Sequence, residues 1–392
     1  MRRDAMRILV IDARVVTPDR DGGSLRMLRL LTILKGLGCH VAFAPDFPRS
    51  FPPFSDSLDR DEARLRDAGI DLPLGPAAPT VEAHLEADGR RYDVVLMTGV
   101  HVASKYLGRV RRHAPGAVVV FDTIDLHFLR EYRAARLTGQ VRRLQFALKV
   151  KRVELAVARA ADVTLVVSER ERELLGREDP AIRVSVIPNI HDVAASVPPF
   201  ASRAGLLYLG AFTFDPNADA VTWFVRDILP SVRARLPGIR FTIAGADPTD
   251  EVKALAGDEV TVTGYVPDLA PLFAAHRVFV APLRYGAGIK GKLLSSMAEG
   301  LPAVVSPIAV EGIAATPGQD VLVAGHGTDW AGHIARVHED EAVWTRLSDN
   351  GQALVRRHYS TEVVEHLVVG LLQDIAVGSM RPAPGACAEG RA

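Results

Sequence analysis

The sequence predicts an α/β protein of two domains, each with a parallel β-sheet covered by helices on both faces. Three observations support this. The chain has 392 residues, which is enough for about two domains. Short continuous apolar runs alternate with helix-like segments along most of the chain, as expected for strands buried on both faces. A segment rich in Pro, Ala and Ser at 193–203 separates these runs into two series and is typical of a linker.

Each domain is predicted from its own series of strands. The first series predicts a domain over residues 1–195, and the second predicts a domain over residues 204–358. The predicted strands are Ile8–Ile11, Val41–Ala44, Val94–Met97, Val118–Phe121, Val163–Val167 and Val184–Ile187, then Leu206–Leu209, Arg240–Ala244, Val260–Thr263, Val278–Ala281 and Ala303–Val305. Residues 359–376 have the apolar spacing of a helix, and the tail 377–392 is expected to be disordered.

Composition excludes several classes of protein. The formal net charge is zero, so no overall field attracts nucleic acid. No stretch approaches the roughly 18 apolar residues that a membrane-spanning helix needs, and the N-terminus has the pattern of a first strand rather than a signal peptide. The two cysteines, Cys39 and Cys387, are far apart, so a disulfide framework is not expected and a cytoplasmic location is the default.

A glycine-rich turn between two predicted strands is the strongest functional signal. The apolar run Val278–Leu283 leads into the turn at 286–291, and a helix pattern follows. Glycines let the backbone approach an anion closely, and a helix N-terminus offers unpaired N–H groups. Lys290 and Lys292 add positive charge there. Because unpaired cations are unfavourable at a helix N-terminus, the lysines indicate a phosphorylated ligand, with Lys290 as the first choice for the phosphate contact.

Two known phosphate-binding motifs fit this turn in part, and a purely structural role is a third alternative. Gly286, Gly288 and Gly291 fit the dinucleotide pattern G-x-G-x-x-G, but no acid ends the next strand to hold a ribose. Residues 286–292 fit the P-loop up to its last position, where Leu293 replaces the Ser or Thr that binds Mg²⁺. This replacement argues against a phosphate-transferring ATPase.

The residues on both sides of the turn fit a further sequence pattern. The stretch Ala281-Pro282-Leu283, Gly286-x-Gly288-Ile289-Lys290-x-Lys292 and Met297-Ala298-x-Gly300-Leu301-Pro302 resembles the donor-binding segment of glycosyltransferase family 4. Weaker similarity extends over most of the chain. The resemblance implies the GT-B fold, in which two Rossmann-like domains face each other across a cleft and the last helix crosses back to the first domain. It also implies sugar transfer from a nucleoside-diphosphate sugar with retention of configuration, without a metal or other cofactor.

The resemblance also implies a set of donor-site residues. Gly23, Ser24 and Arg26 belong to a glycine-containing turn that faces the donor diphosphate, although a helix cap at Gly23 or Ser24 is an alternative. The other donor-site candidates are Gly210, Tyr265, Val266, Gly286, Gly288, Ile289, Lys290, Lys292, Ser295 and Gly312. Tyr265 or Val266 would cover the nucleobase, and Gly312 would contact the sugar together with Glu311.

The catalytic candidates are His127, Asp125, Lys290 and Glu311. Asp125 and His127 follow a buried strand, and the resemblance implies that His127, oriented by Asp125, points at the transferred sugar or the acceptor. Two alternatives remain for this pair. One is a metal site, for which no further ligands are visible. The other is an Asp125 side chain that caps a helix beginning near Leu126.

Ser295 departs from the family pattern, which has a glutamate there to bind the ribose. A hydrogen bond to a charged group contributes about 1.5–3 kcal/mol and a neutral one about 1, so donor affinity is expected to fall by about tenfold. The departure supports an alternative function, a degenerate non-catalytic GT-B protein that binds a nucleotide or partners an active enzyme. A nucleotide-sugar epimerase on the same fold is a further alternative.

Residues 130–159 combine nine basic and two acidic residues with interleaved apolar positions. A basic amphipathic helix can lie on anionic lipid, and many enzymes of the family act on lipid-linked acceptors. Peripheral membrane contact through this segment is therefore one expectation, and a solvated helix face is the alternative. The expected partners are a nucleotide-sugar donor and an acceptor, with no nucleic acid.

Overall fold

The protein is described by a computed structural model that covers residues 5–47, 57–325 and 327–378, with the side chains of 327–329 excepted. Most of the tail expected to be disordered, from residue 379 on, lies outside these residues. Residues 377–378 form a turn after the last helix. None of the described helices is long and apolar enough to cross a membrane.

Two six-stranded parallel sheets form the framework, and all eleven predicted strands are present. The first sheet has the order β2-β1-β3-β4-β5-β6, and the second has the order β12-β11-β10-β7-β8-β9. The strands are β1 Arg7–Asp12, β2 His40–Pro45, β3 Val94–Thr98, β4 Val118–Asp122, β5 Val163–Val166, β6 Val184–Val186, β7 Leu206–Leu209, β8 Phe241–Ala244, β9 Val260–Gly264, β10 Val278–Ala281, β11 Ala303–Val305 and β12 Leu322–Val323. Strand β12 was not predicted, because two residues are too short to show a pattern.

Helices connect the strands and cover both faces of each sheet. They are α1 Gly22–Gly36, α2 Leu58–Asp67, α3 Val81–Asp88, α4 Gly99–His113, α5 His127–Thr138, α6 Val141–Ala160, α7 Glu169–Glu178, α8 Asp215–Trp223, α9 Leu229–Arg235, α10 Asp250–Lys253, α11 Ala270–Ala275, α12 Gly291–Ala298, α13 Pro307–Val310, α14 Gly327–Glu339, α15 Glu341–His358 and α16 Thr361–Ala376. Short 3₁₀ turns occur at Gly89–Arg91 and Phe200–Ser202, and a π turn at Phe224–Ile228 joins α8 to α9.

Several helices begin at residues whose side chains satisfy the first free N–H groups. Thr80, Ser168, Asp340 and Ser360 each accept a hydrogen bond from the backbone N–H three residues further on. These residue types are strongly preferred at helix N-caps, since the first four N–H groups of a helix have no partner within it. Local chemistry therefore sets where these helices start.

The last helix returns to the first domain. Val364, Val368 and Ile375 of α16 are buried in the same apolar cluster as Ile8 and Val10 of β1. This packing joins the C-terminal helix to the first sheet. Together with the two parallel sheets, it confirms the predicted fold.

The strand order places the expected ligand crevice. In the first sheet the order reverses between β1 and β3, and in the second between β7 and β10. In open parallel sheets, ligands bind outside the carboxyl ends of the strands at such a reversal. The loops after β1 and β10 lead into α1 and α12, so these two helix N-termini are the structural focus of the cleft.

Candidate functional site

The N-termini of α1 and α12 meet between the two domains. A Cβ atom on Gly291 would lie 3.8 Å from the Gly22 Cα and 2.9 Å from the Asn189 amide nitrogen. Glycine at both positions therefore lets the two helix ends approach without intervening side chains. Both ends carry partial positive charge, and the space beside them favours an anion.

The first turn of α1 is capped by Asp21. Its carboxylate accepts hydrogen bonds from the Ser24 backbone N–H and the Ser24 hydroxyl, both at 2.8 Å, and from Arg14 at 2.9 Å. The predicted alternative of a helix cap is correct in kind, but the capping residue is Asp21 and Ser24 is the donor. Gly23 lies in the same turn, where a Cβ atom would lie 3.3 Å from an Asp21 carboxylate oxygen.

Arg26 points into the first domain. Its guanidinium donates to the Asp122 carboxylate at 2.6 Å and to the Ile187 carbonyl at 2.8 Å, and both charged side chains are almost fully buried. These contacts use the guanidinium N–H groups that would have to bind a phosphate. The assignment of Arg26 to the donor site is therefore wrong for this conformation, because the side chain links α1 to β4 and to the chain after β6.

The glycine turn before α12 requires glycine at two positions. Gly286 has φ +148° and Gly288 has φ +66°, values that residues with a Cβ atom rarely adopt. The ammonium of Lys290 folds back onto the turn and donates to the carbonyls of Ala287 at 3.1 Å and Gly288 at 2.6 Å. Burial lowers the pKa of Lys290 to about 8, against the pull of the carboxylates of Glu311, Asp125 and Glu171.

Lys292 lies two residues further along the chain, in the first turn of α12, and is half-buried. Burial lowers its pKa, while the carboxylates of Asp21 and Asp19 oppose that change. No hydrogen bond or ion pair joins its ammonium to another residue within the described parts of the chain. The structure thus places two lysines where the two helix N-termini meet.

Side chains of the first domain cover the glycine turn. The Glu171 carboxylate accepts from the Gly288 N–H at 3.2 Å, and Arg133 donates to the Gly286 carbonyl at 2.7 Å. Burial raises the pKa of Glu171 to about 7. Sequence reasoning missed both residues. Arg133 was one of nine basic residues in its segment, and Glu171 lies in the first turn of α7, where an acid is common for local reasons.

Glu311 forms an ion pair across the cleft. Its two carboxylate oxygens accept from Arg133 at 2.5 and 2.8 Å. Burial alone would raise its pKa, but the Arg133 guanidinium outweighs burial and holds the pKa below its usual range. Gly312, with φ +80°, lies so close to the first domain that a Cβ atom would be 2.9 Å from the Ser168 hydroxyl. Glu311 and Gly312 are thus at the interface, as a sugar contact requires, but in this conformation Glu311 is bound to Arg133.

Asp125 does not orient His127. The carboxylate of Asp125 binds Arg130 at 2.5 Å, and the helix beginning at His127 is capped by Glu154, which accepts from the N–H groups of His127 at 3.1 Å and Phe128 at 2.9 Å. Both interpretations of Asp125 are therefore wrong. The reason is tertiary: Glu154 reaches the helix N-terminus from the middle of α6, 27 residues along the chain from His127.

His127 instead pairs with a histidine from the neighbouring strand end. Its ring packs edge-to-face against His101, with 4.9 Å between the ring centroids. Burial, helped by Arg130, lowers the pKa of His127 to about 4, so the imidazole is neutral at neutral pH. His101 was missed, although its place just after β3 matches the place of His127 just after β4.

The predicted nucleobase turn also reaches the first domain. The hydroxyl of Tyr265 donates to the Asp19 carboxylate, and the Arg20 guanidinium lies 5.1 Å from the centre of the Tyr265 ring. Val266 is half-buried against the core of the second domain. The Tyr265 ring is therefore already stacked on a planar cation, an arrangement a nucleobase could replace.

Two other donor-site candidates have local explanations. A Cβ atom on Gly210 would lie 2.7 Å from the Asn217 side chain, so the turn after β7 is glycine for packing reasons. The Ser295 hydroxyl donates to the Gly291 carbonyl at 3.1 Å. Ile289 packs against the core of the second domain. It is also a neighbour of Gly312, where an added Cβ atom would lie 3.8 Å from the Ile289 side chain.

Metal ligands are not grouped in the described residues. Across 5–47, 57–325 and 327–378 no set of three or more His, Cys, Asp or Glu side chains is arranged to hold a metal ion. Asp125 and His127, considered above for such a site, are engaged by Arg130 and His101.

A Gly288→Ala substitution should destabilise the contact between the domains. At φ +66° an alanine is strained, and its Cβ atom would lie 2.8 Å from the Asp125 Cβ. We expect the free energy of unfolding to fall by about 1–3 kcal/mol, measured by urea denaturation. Gly108→Ala is the matched control, since Gly108 lies within α4 with open space around it and should gain about 0.5–1 kcal/mol. Equal stability of Gly288→Ala and the wild type would contradict the close packing of this turn.

Comparison with known proteins assigns the second domain. Residues 203–340 match the family model described as Glycosyl transferases group 1. The match covers most of the second domain and none of the first. The matched residues include the glycine turn, Lys290 and Lys292. The finer assignment to glycosyltransferase family 4 stays a prediction.

Solved structures share the fold of the whole chain. Sucrose-phosphate synthase from Thermosynechococcus elongatus superposes with a TM-score of 0.71 and 17% identity, covering 95% of this chain and 100% of that one. HepE from Anabaena, solved in complex with UDP and glucose, gives a TM-score of 0.68 and 14% identity, covering 94% and 100%. The two domains together thus have the GT-B fold.

A curated relative matches part of the chain. An uncharacterized 44.6 kDa protein in the cps region of Klebsiella pneumoniae is 23% identical over 171 residues, which are 41% of this chain and 44% of that protein. The match therefore spans less than half of the relative's length.

Proposed function

We propose that the protein is a retaining glycosyltransferase that moves a sugar from a nucleoside-diphosphate sugar to an acceptor held by the first domain. One observation carries the proposal. The second domain presents a glycine turn, a helix N-terminus and two lysines to a second helix N-terminus across the cleft. A diphosphate is the ligand that this concentration of positive charge suits best.

The lysines act on the leaving group. Retaining transfer passes through an oxocarbenium-like state while negative charge grows on the departing diphosphate. Positive groups placed where that charge develops lower the barrier. Lys290 and Lys292, with the N–H groups at the start of α12, supply this charge, so the proposed reaction needs no metal or other cofactor.

Donor binding and closure of the cleft are coupled in this proposal. In the structure the Glu171 carboxylate occupies the Gly288 N–H, and Lys290 is bonded to carbonyls of its own turn. A bound diphosphate would compete with the carboxylate for the N–H and would draw the ammonium away from the carbonyls. The Arg133–Glu311 ion pair, which already joins the two domains, would hold the site closed over the donor and exclude water.

The acceptor side is formed by the first domain. His101 and His127 lie at the carboxyl ends of β3 and β4. The neutral imidazole of His127 can donate one hydrogen bond and accept another, which suits a hydroxyl acceptor. The proposal includes a cytoplasmic location.

Nucleotide binding tests the donor half of the proposal. HepE has been solved with UDP and with UDP-glucose, so UDP heads a panel with GDP, ADP and CDP. We expect one nucleoside diphosphate to raise the melting temperature selectively, with stabilisation of about 2.7 kcal/mol at a hundred times its dissociation constant. The matching nucleoside, which has no phosphate, is the control and should have little effect. A panel without any selective shift would contradict the proposal.

Turnover separates the proposal from its alternative. Ser295 stands where the family has a ribose-binding glutamate and here bonds to the helix backbone, which favours a non-catalytic nucleotide-binding protein as the second candidate. The enzyme should release nucleoside diphosphate from the matching nucleotide-sugar, at least by slow hydrolysis. Binding without turnover, together with turnover gained by Ser295→Glu, would establish the alternative.

A further inference from the structure

The outer face of the hairpin formed by α5 and α6 is unusually apolar for a surface. Of the ten large hydrophobic side chains that are exposed among the described residues, six lie within residues 132–153. They are Tyr132, Leu137, Val141, Phe146, Leu148 and Val153. Val141 is 67% exposed, and Phe146 and Leu148 are 46% and 47% exposed. Single exposed apolar side chains are common on any protein, but a cluster of them marks an interaction surface.

The same face carries positive charge alone. Arg136, Arg142, Lys149 and Arg152 are exposed, and none of them forms an ion pair within the described residues. The acids of the hairpin are turned away from it. Glu131 binds Arg143, and Glu154 caps α5 from the buried side.

The spacing along α6 arranges these residues in rows. Val141 and Leu148 are seven residues apart, as are Arg142 and Lys149, and Phe146 and Val153. Seven residues make about two helical turns, so each pair lies along one line of the helix surface. The basic row lies between the two apolar rows. Amphipathic helices that lie at a lipid surface combine these two kinds of side chain.

The solvated-helix alternative does not explain this face. A solvated amphipathic helix turns its apolar side chains toward the core and leaves polar ones outside. Val150 and Val157 follow that rule and are buried. Phe146, Leu148 and Val153 do not, although the core lies on the opposite side of the same helix.

The inner side of this hairpin forms a wall of the cleft. Arg133 of α5 binds the glycine turn, and Arg143 of α6 lies 3.5 Å from Asp215 in the second domain. The Arg130 guanidinium lies 5.1 Å from the centre of the Phe214 ring. Whatever binds the outer face therefore comes to lie directly beside the proposed site of sugar transfer.

We propose that the outer face of α5 and α6 binds the surface of an anionic lipid bilayer. The basic row would contact lipid phosphates, and the apolar rows would enter the headgroup layer. Anionic lipid is favoured over a protein partner because the exposed charge on this face is of one sign and its apolar side chains are spread along its length instead of forming a pocket. The inference rests on the proposed function, because a bound bilayer would bring the cleft to an acceptor at the membrane. Bilayer binding itself needs no donor.

Co-sedimentation with vesicles tests the surface. The full-length protein is mixed with phosphatidylcholine vesicles and with vesicles that also contain phosphatidylglycerol. We expect strong binding only when the anionic lipid is present, and weaker binding as salt is raised. An Arg142→Gln/Lys149→Gln/Arg152→Gln variant should bind the anionic vesicles about a hundredfold more weakly, since each basic side chain near an anionic surface contributes about fivefold. A Phe146→Gln/Leu148→Gln variant should also lose most of its binding.

Matched variants make the test decisive. Lys253→Gln/Arg346→Gln/Arg357→Gln removes the same charge from exposed positions of the second domain and should bind vesicles like the wild type. The nucleotide-induced shift of the melting temperature should be unchanged in all three variants, which separates this surface from the donor site. Equal binding by the wild type and the two hairpin variants, or no binding to anionic vesicles, would overturn the proposal. So would light scattering that shows a dimer of the wild type which the Phe146→Gln/Leu148→Gln variant no longer forms.

Discussion

Replacing Lys290 with methionine is expected to abolish the nucleotide-induced shift of the melting temperature and to lower sugar transfer at least a hundredfold. Methionine keeps much of the apolar stem and removes the charge. A charge-assisted hydrogen bond to the diphosphate contributes about 1.5–3 kcal/mol to binding. Removing one preorganised donor to developing negative charge typically costs 10²–10³ in rate. The measurements are thermal shift and release of nucleoside diphosphate from the donor.

The pH dependence of nucleotide binding provides a second signature of Lys290. Burial lowers its pKa from 10.5 to about 8, so the charged form that binds phosphate is present below about pH 8 and is lost above it. Affinity for the nucleoside diphosphate should therefore fall by up to about tenfold for each pH unit above 8. Between about pH 8 and 10.5 the unfolded chain holds the proton that the folded chain has released. The free energy of unfolding should accordingly rise with pH in this window, and Lys290→Met should remove that rise.

A lysine of the same domain supplies the control. Lys253→Met changes an exposed side chain in α10 and should leave nucleotide binding and its pH profile as they are. If Lys290→Met binds the nucleotide as tightly as the wild type, Lys290 has no contact with the phosphates and the glycine turn is a structural feature.

Replacing Arg26 with methionine is expected to lower the free energy of unfolding by about 3–5 kcal/mol, the usual result of removing one partner of a buried ion pair. The side chains of Arg26 and Asp122 are 3% and 0% exposed and are joined at 2.6 Å. The variant leaves the Asp122 carboxylate buried without its guanidinium partner. It also leaves the carbonyls of Ile187 and Pro188 without their side-chain donor. Urea denaturation measures the loss.

Two further variants test the assignment of Arg26. Arg112→Met removes an exposed arginine from α4 and should change stability by less than about 0.5 kcal/mol. Adding Asp122→Asn to Arg26→Met removes the orphaned charge and should recover part of the stability. If Arg26→Met instead kept its stability and lost nucleotide affinity, the original assignment of Arg26 to the donor site would be restored.

Sequence reasoning succeeded where the signal is local. Most strands are buried on both faces, so their apolar runs are visible without any knowledge of their neighbours. The glycine turn was found for the same reason, because positive φ at Gly286 and Gly288 is a property of the chain itself. The match of residues 203–340 to group 1 glycosyl transferases agrees with that local pattern.

The sequence did not predict which partners the charged side chains bind. Glu154, and not Asp125, caps α5. Arg130, and not His127, is the partner of Asp125. Local rules rank Asp125 as a capping residue because it stands just before the helix. They cannot rank Glu154, which is remote in the sequence and adjacent only after α6 has packed on α5.

The sequence by itself determined the two-domain α/β framework, the strand positions and the turn that would receive a phosphate, since each follows from burial period, turn chemistry or backbone freedom over a few residues. Tertiary structure alone decided the pairs that close the cleft. Arg133 meets Glu311 across 178 residues, and Glu171 meets Gly288 across 117. Such contacts depend on how the two sheets are placed relative to each other. The residue pattern of a single strand or helix contains no information on that placement.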